Sequence, residues 1–383
     1  MDIELSAADL QFQQEVRTFL EEQALQPGMN PAQWSARWFA AATAKGGWDV
    51  PRWPKEFGGP GWTAAQHYVW DQETAKHTLP FDSPFGVVML APILMAYGSV
   101  EQQQRFLPAI RARSVQWCQG YSEPGAGSDL AALKTRAVLS ADATHYLLNG
   151  TKIWTSAAHL ADWMFCLTRT SEAARRQQGI TFLLLPMRQP GIDVQPIITL
   201  GGRHHVNMVH LSNVTVPVEN RVGKEGEGWT YAKGLLQHER IGIANISRSR
   251  AALAALKQSA SAALEEHSFR MRLAAIEVDL MALEFTELRS LAAMSSGMSV
   301  GPESSILKLK GTEVQQRIQK LAMEAAGLQG AAWGPTSGSL MGGAATARET
   351  VESYLTGRAA TIFGGASEVQ RDVIWKNVIR QRS

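Results

Sequence analysis

Cysteine is nearly missing from this 383-residue chain. Its 2 cysteines, Cys118 and Cys166, are too few for a disulfide framework or a thiolate-rich metal site. Excess charge of either sign is missing too. Lys and Arg total 37 against 35 Asp and Glu, a net charge of +2. That balance offers no basic field for nucleic-acid phosphates and no acidic tail. Charged residues are only 19% of the chain, below the ~25% of an average soluble domain. No long apolar run exists: the longest, Phe85 to Tyr97, is interrupted by Pro92 and falls short of the ~20 residues that span a bilayer. The N-terminus, Met-Asp-Ile-Glu-Leu-Ser, lacks the basic-then-apolar order of a signal peptide. A soluble cytoplasmic protein is expected, with no nucleic-acid partner, no membrane span and no metal.

Several catalytic fingerprints are also absent. Gly226-Glu227-Gly228 is followed by Tyr231 where a dinucleotide-binding motif needs its third glycine. There is no Walker A loop. His204, His205 and His210 have no carboxylate or cysteine set at ligand spacing nearby, so they read as polar residues at strand edges.

What is present is apolar and patterned. Hydrophobic residues make up 45% of the chain, and 12 Trp stand against 6 Tyr. Ser6 is placed to cap a helix carrying Leu10, Phe12, Val16 and Leu20 at helical spacing. Trp34, Trp38, Phe39 and Ala42 form a second stripe that ends at Gly46-Gly47. A breaker-rich loop runs from Pro51 to Gly61, with helices expected over Thr63 to His77 and within Phe85 to Ala112. From Trp117 the runs become short, β-branched and aromatic. Tyr146 to Trp154, centred on Asn149-Gly150, predicts a hairpin with a type I′ turn. Further strands are expected at Met164–Leu167, Thr181–Leu185, Val194–Ile198 and Met208–Val216. Helical texture returns after Gly228, over Trp229–Leu264, Phe269–Met294, Ser304–Ala326, Thr346–Leu355 and Ser367–Gln381. The expected class is α+β in three parts: a helical domain over 1–116, a β domain over 117–222 and a helical bundle over 223–383.

One segment stands out for chemistry: Trp117-Cys118-Gln119-Gly120-Tyr121-Ser122-Glu123-Pro124-Gly125-Ala126-Gly127-Ser128-Asp129-Leu130. Its glycines let backbone approach a ligand and present N–H groups to an anion, and its serines add hydroxyl donors. On residues alone, an ordinary tight turn serves equally well.

This segment resembles the signature at the entry to the middle domain of the acyl-CoA dehydrogenase family. Three further stretches are similar and in the family's order: Asn149 to Ser156, Gly201-Gly202-Arg203 through Val214–Pro217 to Trp229, and Thr361-Ile362-Phe363-Gly364-Gly365-Ala366-Ser367-Glu368-Val369-Gln370-Arg371. The resemblance implies a helical domain, a β-barrel domain and a four-helix bundle, with FAD held between them and an acyl-CoA as substrate. It also implies an electron-transfer flavoprotein as acceptor.

By position, the resemblance lays Gln119 to Ser128 along the flavin. Tyr121 and Ser122 would touch the ring, Gly127 would lie in the loop, and Ser128 would stand where flavin meets CoA. Trp154 would stack on the ring, with Thr155 beside it and Ser156 near its N5; the alternative for Trp154 is hairpin core. Ala366, Ser367 and Glu368 would complete the cofactor contacts. Gly364 and Gly365 would face the substrate, the Gly364 N–H polarising the thioester carbonyl, and Arg240 would help hold CoA.

In much of the family the catalytic Glu lies in the C-terminal motif. Gly364 occupies that position here. A minority, the isovaleryl-CoA type among them, carries the Glu on the first helix of the bundle, and Glu239 matches that position. Glu239 is therefore the expected base; a helix-surface Glu paired with Arg is the alternative. A second departure concerns FAD. The family's Arg-x-x-Phe-Gly, which holds the adenosine end of FAD in the neighbouring subunit, has only Ser268-Phe269-Arg270 as its nearest fragment, and the glycine-rich stretch Glu324 to Gly330 is altered. A homodimer would then hold FAD poorly. A homologous partner subunit in an α2β2 assembly is expected, similar to bacterial family members acting on pimeloyl-type or steroid side-chain substrates. Two other readings stay open: a catalytically silent partner subunit, and a flavin oxidase or monooxygenase of the same fold.

Overall fold

A computed structural model describes residues 5–295, 301–328 and 344–380, leaving aside the side chains of 235–242, 294–295 and 344–348. Helices α1 (Ala7–Glu22), α2 (Pro31–Ala44), α3 (Ala64–Thr74), α4 (Ala91–Tyr97) and α5 (Val100–Arg111) come first. Eight strands follow: β1 (Trp117–Gly120), β2 (Arg136–Leu139), β3 (His145–Ser156), β4 (Trp163–Arg169), β5 (Ile180–Pro186), β6 (Ile192–Ile198), β7 (His204–Pro217) and β8 (Arg221–Val222). The chain then returns to helix in α6 (Gly228–Ala244), α7 (Ile246–Ser259), α8 (His267–Ser295), α9 (Glu303–Ala325), α10 (Ala344–Gly357) and α11 (Ser367–Ile374). The class is α+β, with helical regions flanking a sheet.

The chain divides into two compact units. The first comprises Met1–Pro51, Pro60–Pro80 and Gln237–Ser383; the second comprises Arg52–Gly59 and Phe81–Leu236. In the first, Ser6 caps α1: its hydroxyl accepts from the Asp9 amide at 3.2 Å, and the Asp9 carboxylate accepts from the Ser6 amide at 3.2 Å. Phe12, Phe19, Trp38, Trp48 and Trp70 pack into one core, mostly edge to face. Most N-terminal tryptophans are thus packing residues.

The expected single helix over Trp229–Leu264 is two. Asn245, at φ +51°, separates α6 from α7. Gln315 on α9 explains how the break is held: its side-chain amide donates to the carbonyls of Ile243 at 2.8 Å and Ala244 at 2.9 Å. These carbonyls would otherwise be left over at a helix end.

In the second unit the strands form one sheet in the order β6-β7-β3-β2-β4-β5-β8, with β1 paired in parallel to β4. The expected hairpin at Asn149-Gly150 is not there. Both residues lie inside the twelve-residue strand β3. Glycine is needed for close approach rather than for turning: a Cβ on Gly150 would stand 2.7 Å from Thr135 Cα. The Asn149 side chain is used across the ladder, accepting from the Asn213 amide at 2.9 Å.

Candidate functional site

The glycine-rich loop leaves β1 and is tied to β3 by a buried ion pair. Lys152 is fully buried and donates to Glu123 Oε1 at 2.8 Å, to the Leu167 carbonyl at 2.7 Å and to the Tyr121 carbonyl at 3.2 Å. Glu123 also accepts from the Lys134 and Thr135 amides at 2.7 and 2.9 Å. Burial pushes the Glu123 carboxyl up, but the Lys152 charge and these hydrogen bonds outweigh it and hold it below the ordinary range. The Ser122 carbonyl accepts from the Ile153 amide at 2.9 Å. Residues 121–123 and 152–153 are therefore one rigid piece, and Trp154 follows directly.

Trp154 is unusual in three respects. Its φ is +60°, in the left-handed region that bulky side chains avoid. It lies where the β3–β7 register shifts between Lys152 and Thr155. And it is 58% exposed. The hairpin-core alternative is thus excluded. Thr155, next in sequence, is buried, and its Oγ1 has no hydrogen-bond partner among the described residues; the buried Nε2 of Gln119 on β1 is likewise unpartnered. Tyr121 is buried, Ser122 and Ser156 are half-buried, and Gly127 and Ser128 are exposed. A Cβ on Gly125 or Gly127 would meet nothing within 4 Å, so the chain's own packing does not demand glycine there. An open aromatic face, with the half-buried Ser122 and Ser156 on the two tied segments, fits the flat, polar-edged flavin of FAD.

The C-terminal motif belongs to the helical unit. Gly364 and Gly365 take φ +61° and +98°, and a Cβ on Gly365 would lie 2.2 Å from Gln370 Nε2. Lys308 on α9 is fully buried and donates to the carbonyls of Ala360 at 3.1 Å and Gly365 at 2.6 Å, pinning both ends of the loop. Ala366 precedes the first turn of α11, Ser367 is buried, and Glu368 is exposed beside Arg371. The side chains of Glu239 and Arg240 lie outside the described residues; the backbone of both is helical in α6.

Residue patterns did not single out Lys152, Glu123, Lys308 or Gln370. The signal available was a charged or amide residue inside an otherwise apolar motif. The fragment Ser268-Phe269-Arg270 is used by its own chain: Phe269 is core, and Arg270 donates to the carbonyls of Leu264 at 2.7 Å and Glu265 at 2.9 Å. Among the described residues, no group of three His, Cys, Asp or Glu converges as a metal site would, and no helix is long and apolar enough to cross a membrane.

Comparison with known proteins places the chain in a family. Three family models match in succession: the N-terminal domain of acyl-CoA dehydrogenase over residues 6–113, the middle domain over 118–214 and the C-terminal domain over 226–379. The chain is 34% identical over 340 residues to acyl-CoA dehydrogenase IpdE1 of Mycobacterium tuberculosis, covering 85% of this chain and 83% of that one. Among solved structures, the Tcur3481-Tcur3483 steroid ACAD is 30% identical with a TM-score of 0.81, covering 98% of each chain. The ChsE4-ChsE5 complex of Mycobacterium tuberculosis is 29% identical with a TM-score of 0.81, covering 99% of each. The chain belongs to the acyl-CoA dehydrogenase family.

Proposed function

We propose that this protein is an FAD-dependent dehydrogenase that introduces a double bond between the α and β carbons of a bulky acyl-CoA, and that it works beside a homologous subunit. The carrying observation is Trp154: strained, exposed, and followed by a buried hydroxyl without a partner. The division into domains at about residues 116 and 222 is part of the same reading.

FAD, when bound, supplies the hydride acceptor. The chain's residues do the rest. Tyr121, Ser122, Gln119, Gly127, Thr155 and Ser156 would hold the flavin edge, and Trp154 would cover one face and keep water from it. Ser367, Glu368 and Ala366 would make the remaining cofactor contacts. Ser128, Gly365 and Arg240 would bind the acyl-CoA. The Gly364 N–H would donate to the thioester carbonyl and stabilise the enolate as the α-proton leaves. Glu239 would take that proton onto its carboxylate.

The partner reading draws on the internal use of Phe269 and Arg270 and on the names of two relatives, one a complex of two chains and one a paired steroid ACAD. The steroid name also motivates the bulky substrate class. An electron-transfer flavoprotein is the proposed acceptor.

Co-purification with a homologous subunit, followed by a screen of steroid side-chain, branched and short dicarboxylyl CoA thioesters, tests the reading. The flavin band should bleach with the bulky substrates. Glu239→Gln should keep FAD and lower turnover by about 10²–10⁴; a retained rate would remove Glu239 as base. A fully active homotetramer of this chain alone would end the partner proposal.

A further inference from the structure

Asn207 is fully buried in β7, opposite Thr155 of β3. Its amide sits among three groups. Nδ2 donates to the Thr155 carbonyl at 2.9 Å and lies 3.1 Å from His159 Nδ1, while Oδ1 is 2.7 Å from His204 Nε2. The chemistry of these contacts is mutually determined. A carbonyl can only accept, so the atom facing Thr155 must be the NH₂ group. Oδ1 then faces His204, whose Nε2 must carry a hydrogen. The second amide hydrogen points at His159, whose Nδ1 must be bare. The two imidazoles stack with centroids 4.0 Å apart.

This cluster holds β3 just past the point where its ladder slips. The register shifts between Lys152 and Thr155, and Trp154 and Ala157 take φ +60° and +55°. The Thr155 carbonyl is bound by the Asn207 side chain, and the Ala157 amide donates to the His205 carbonyl at 2.8 Å. Because a peptide unit is planar, fixing the Thr155 carbonyl also fixes the Ser156 N–H.

We infer that Asn207, braced by His159 and His204, is the positioning residue that holds Trp154, Thr155 and Ser156 in the conformation that receives the flavin ring. The inference rests on the flavin reading above. It also carries a pH consequence. A proton on His159 Nδ1 would set an N–H against the Asn207 N–H. The charged or titratable groups here are His159 itself, His204, His205 and Arg203; Pro196, Ile197 and Ile198, the β6 residues paired with this stretch, carry none. Burial, then His204, push His159 below its ordinary value. The hold is therefore present above the ordinary imidazole range and lost as pH falls toward the lower folded value.

The test compares wild type, Asn207→Ala, His159→Phe and Trp154→Ala. Hydrogen exchange over residues 150–158 is read on flavin-free protein, and FAD affinity is read from pH 5 to 8 as a ratio to wild type. Asn207→Ala should exchange that segment at least about tenfold faster and bind FAD about ten- to a hundredfold more weakly. His159→Phe keeps a ring in the stack and should abolish the acid-side weakening seen in wild type. Unchanged exchange and affinity in Asn207→Ala would overturn the inference. Should that variant not fold, persistence of the acid response in His159→Phe would overturn it instead. If Trp154→Ala binds FAD as tightly as wild type, the flavin reading fails, while the exchange measurement still decides what Asn207 holds.

Discussion

Trp48 and Trp154 are the same side chain in opposite circumstances. Trp48 is 5% exposed and meets Phe12, Phe19 and Trp70 with ring centroids 5.2 to 5.7 Å away. Its large apolar area is consumed by the core. Trp154 is 58% exposed on a backbone that costs ~1–2 kcal/mol to hold. A folded chain gains nothing from that arrangement by itself. The same contrast separates the polar groups nearby: Lys152 and Glu123 are satisfied by each other and by backbone groups, while Thr155 Oγ1 and Gln119 Nε2 have no partner among the described residues. Groups that stabilise the fold are partnered within it.

The comparison can be broken by substitution. Trp48→Ala should cost about 3–5 kcal/mol through the cavity it opens, read as a lower urea midpoint at unchanged slope. Lys152→Met should cost about 3 kcal/mol at neutral pH by stranding a buried carboxylate. Its pH dependence should also reverse. In wild type the lowered Glu123 carboxyl contributes stability above the ordinary carboxylate range, lost as pH falls through its folded value. Without Lys152, burial, the largest influence on that carboxyl, is opposed only by the Lys134 and Thr135 amides, so the variant should recover as pH falls. Trp154→Ala should leave stability within about 0.5 kcal/mol yet weaken FAD binding about tenfold. The smallest effect is the sharpest: Trp154→Gly should raise stability by about 1 kcal/mol by relieving the left-handed φ. A loss of stability there would mean that Trp154 serves the fold after all.

Much of this was legible in the residues. The capping pattern at Ser6, the stripe of Trp34 and Trp38, and the runs at Met164 and Thr181 are local signals, and local physics decides them. The glycine loop and the segment ending at Ser156 carried the family. Three things were not legible. Asn149-Gly150 has the composition of a type I′ turn, but its glycine answers to Thr135, fifteen residues away in sequence. The break at Asn245 depends on Gln315, seventy residues downstream. Asn207 looked like one more strand residue, because nothing local shows that it faces the Thr155 carbonyl and two imidazoles.

The sequence by itself determined most of the element types and the family, since periodicity, caps and long motifs are written in consecutive residues. Tertiary structure alone decided which polar groups are used up and which are left over. Hydrogen-bond satisfaction is settled between strands and helices distant in sequence, and only there do Lys152 find its carboxylate, Asn207 its carbonyl, and Trp154 an open face.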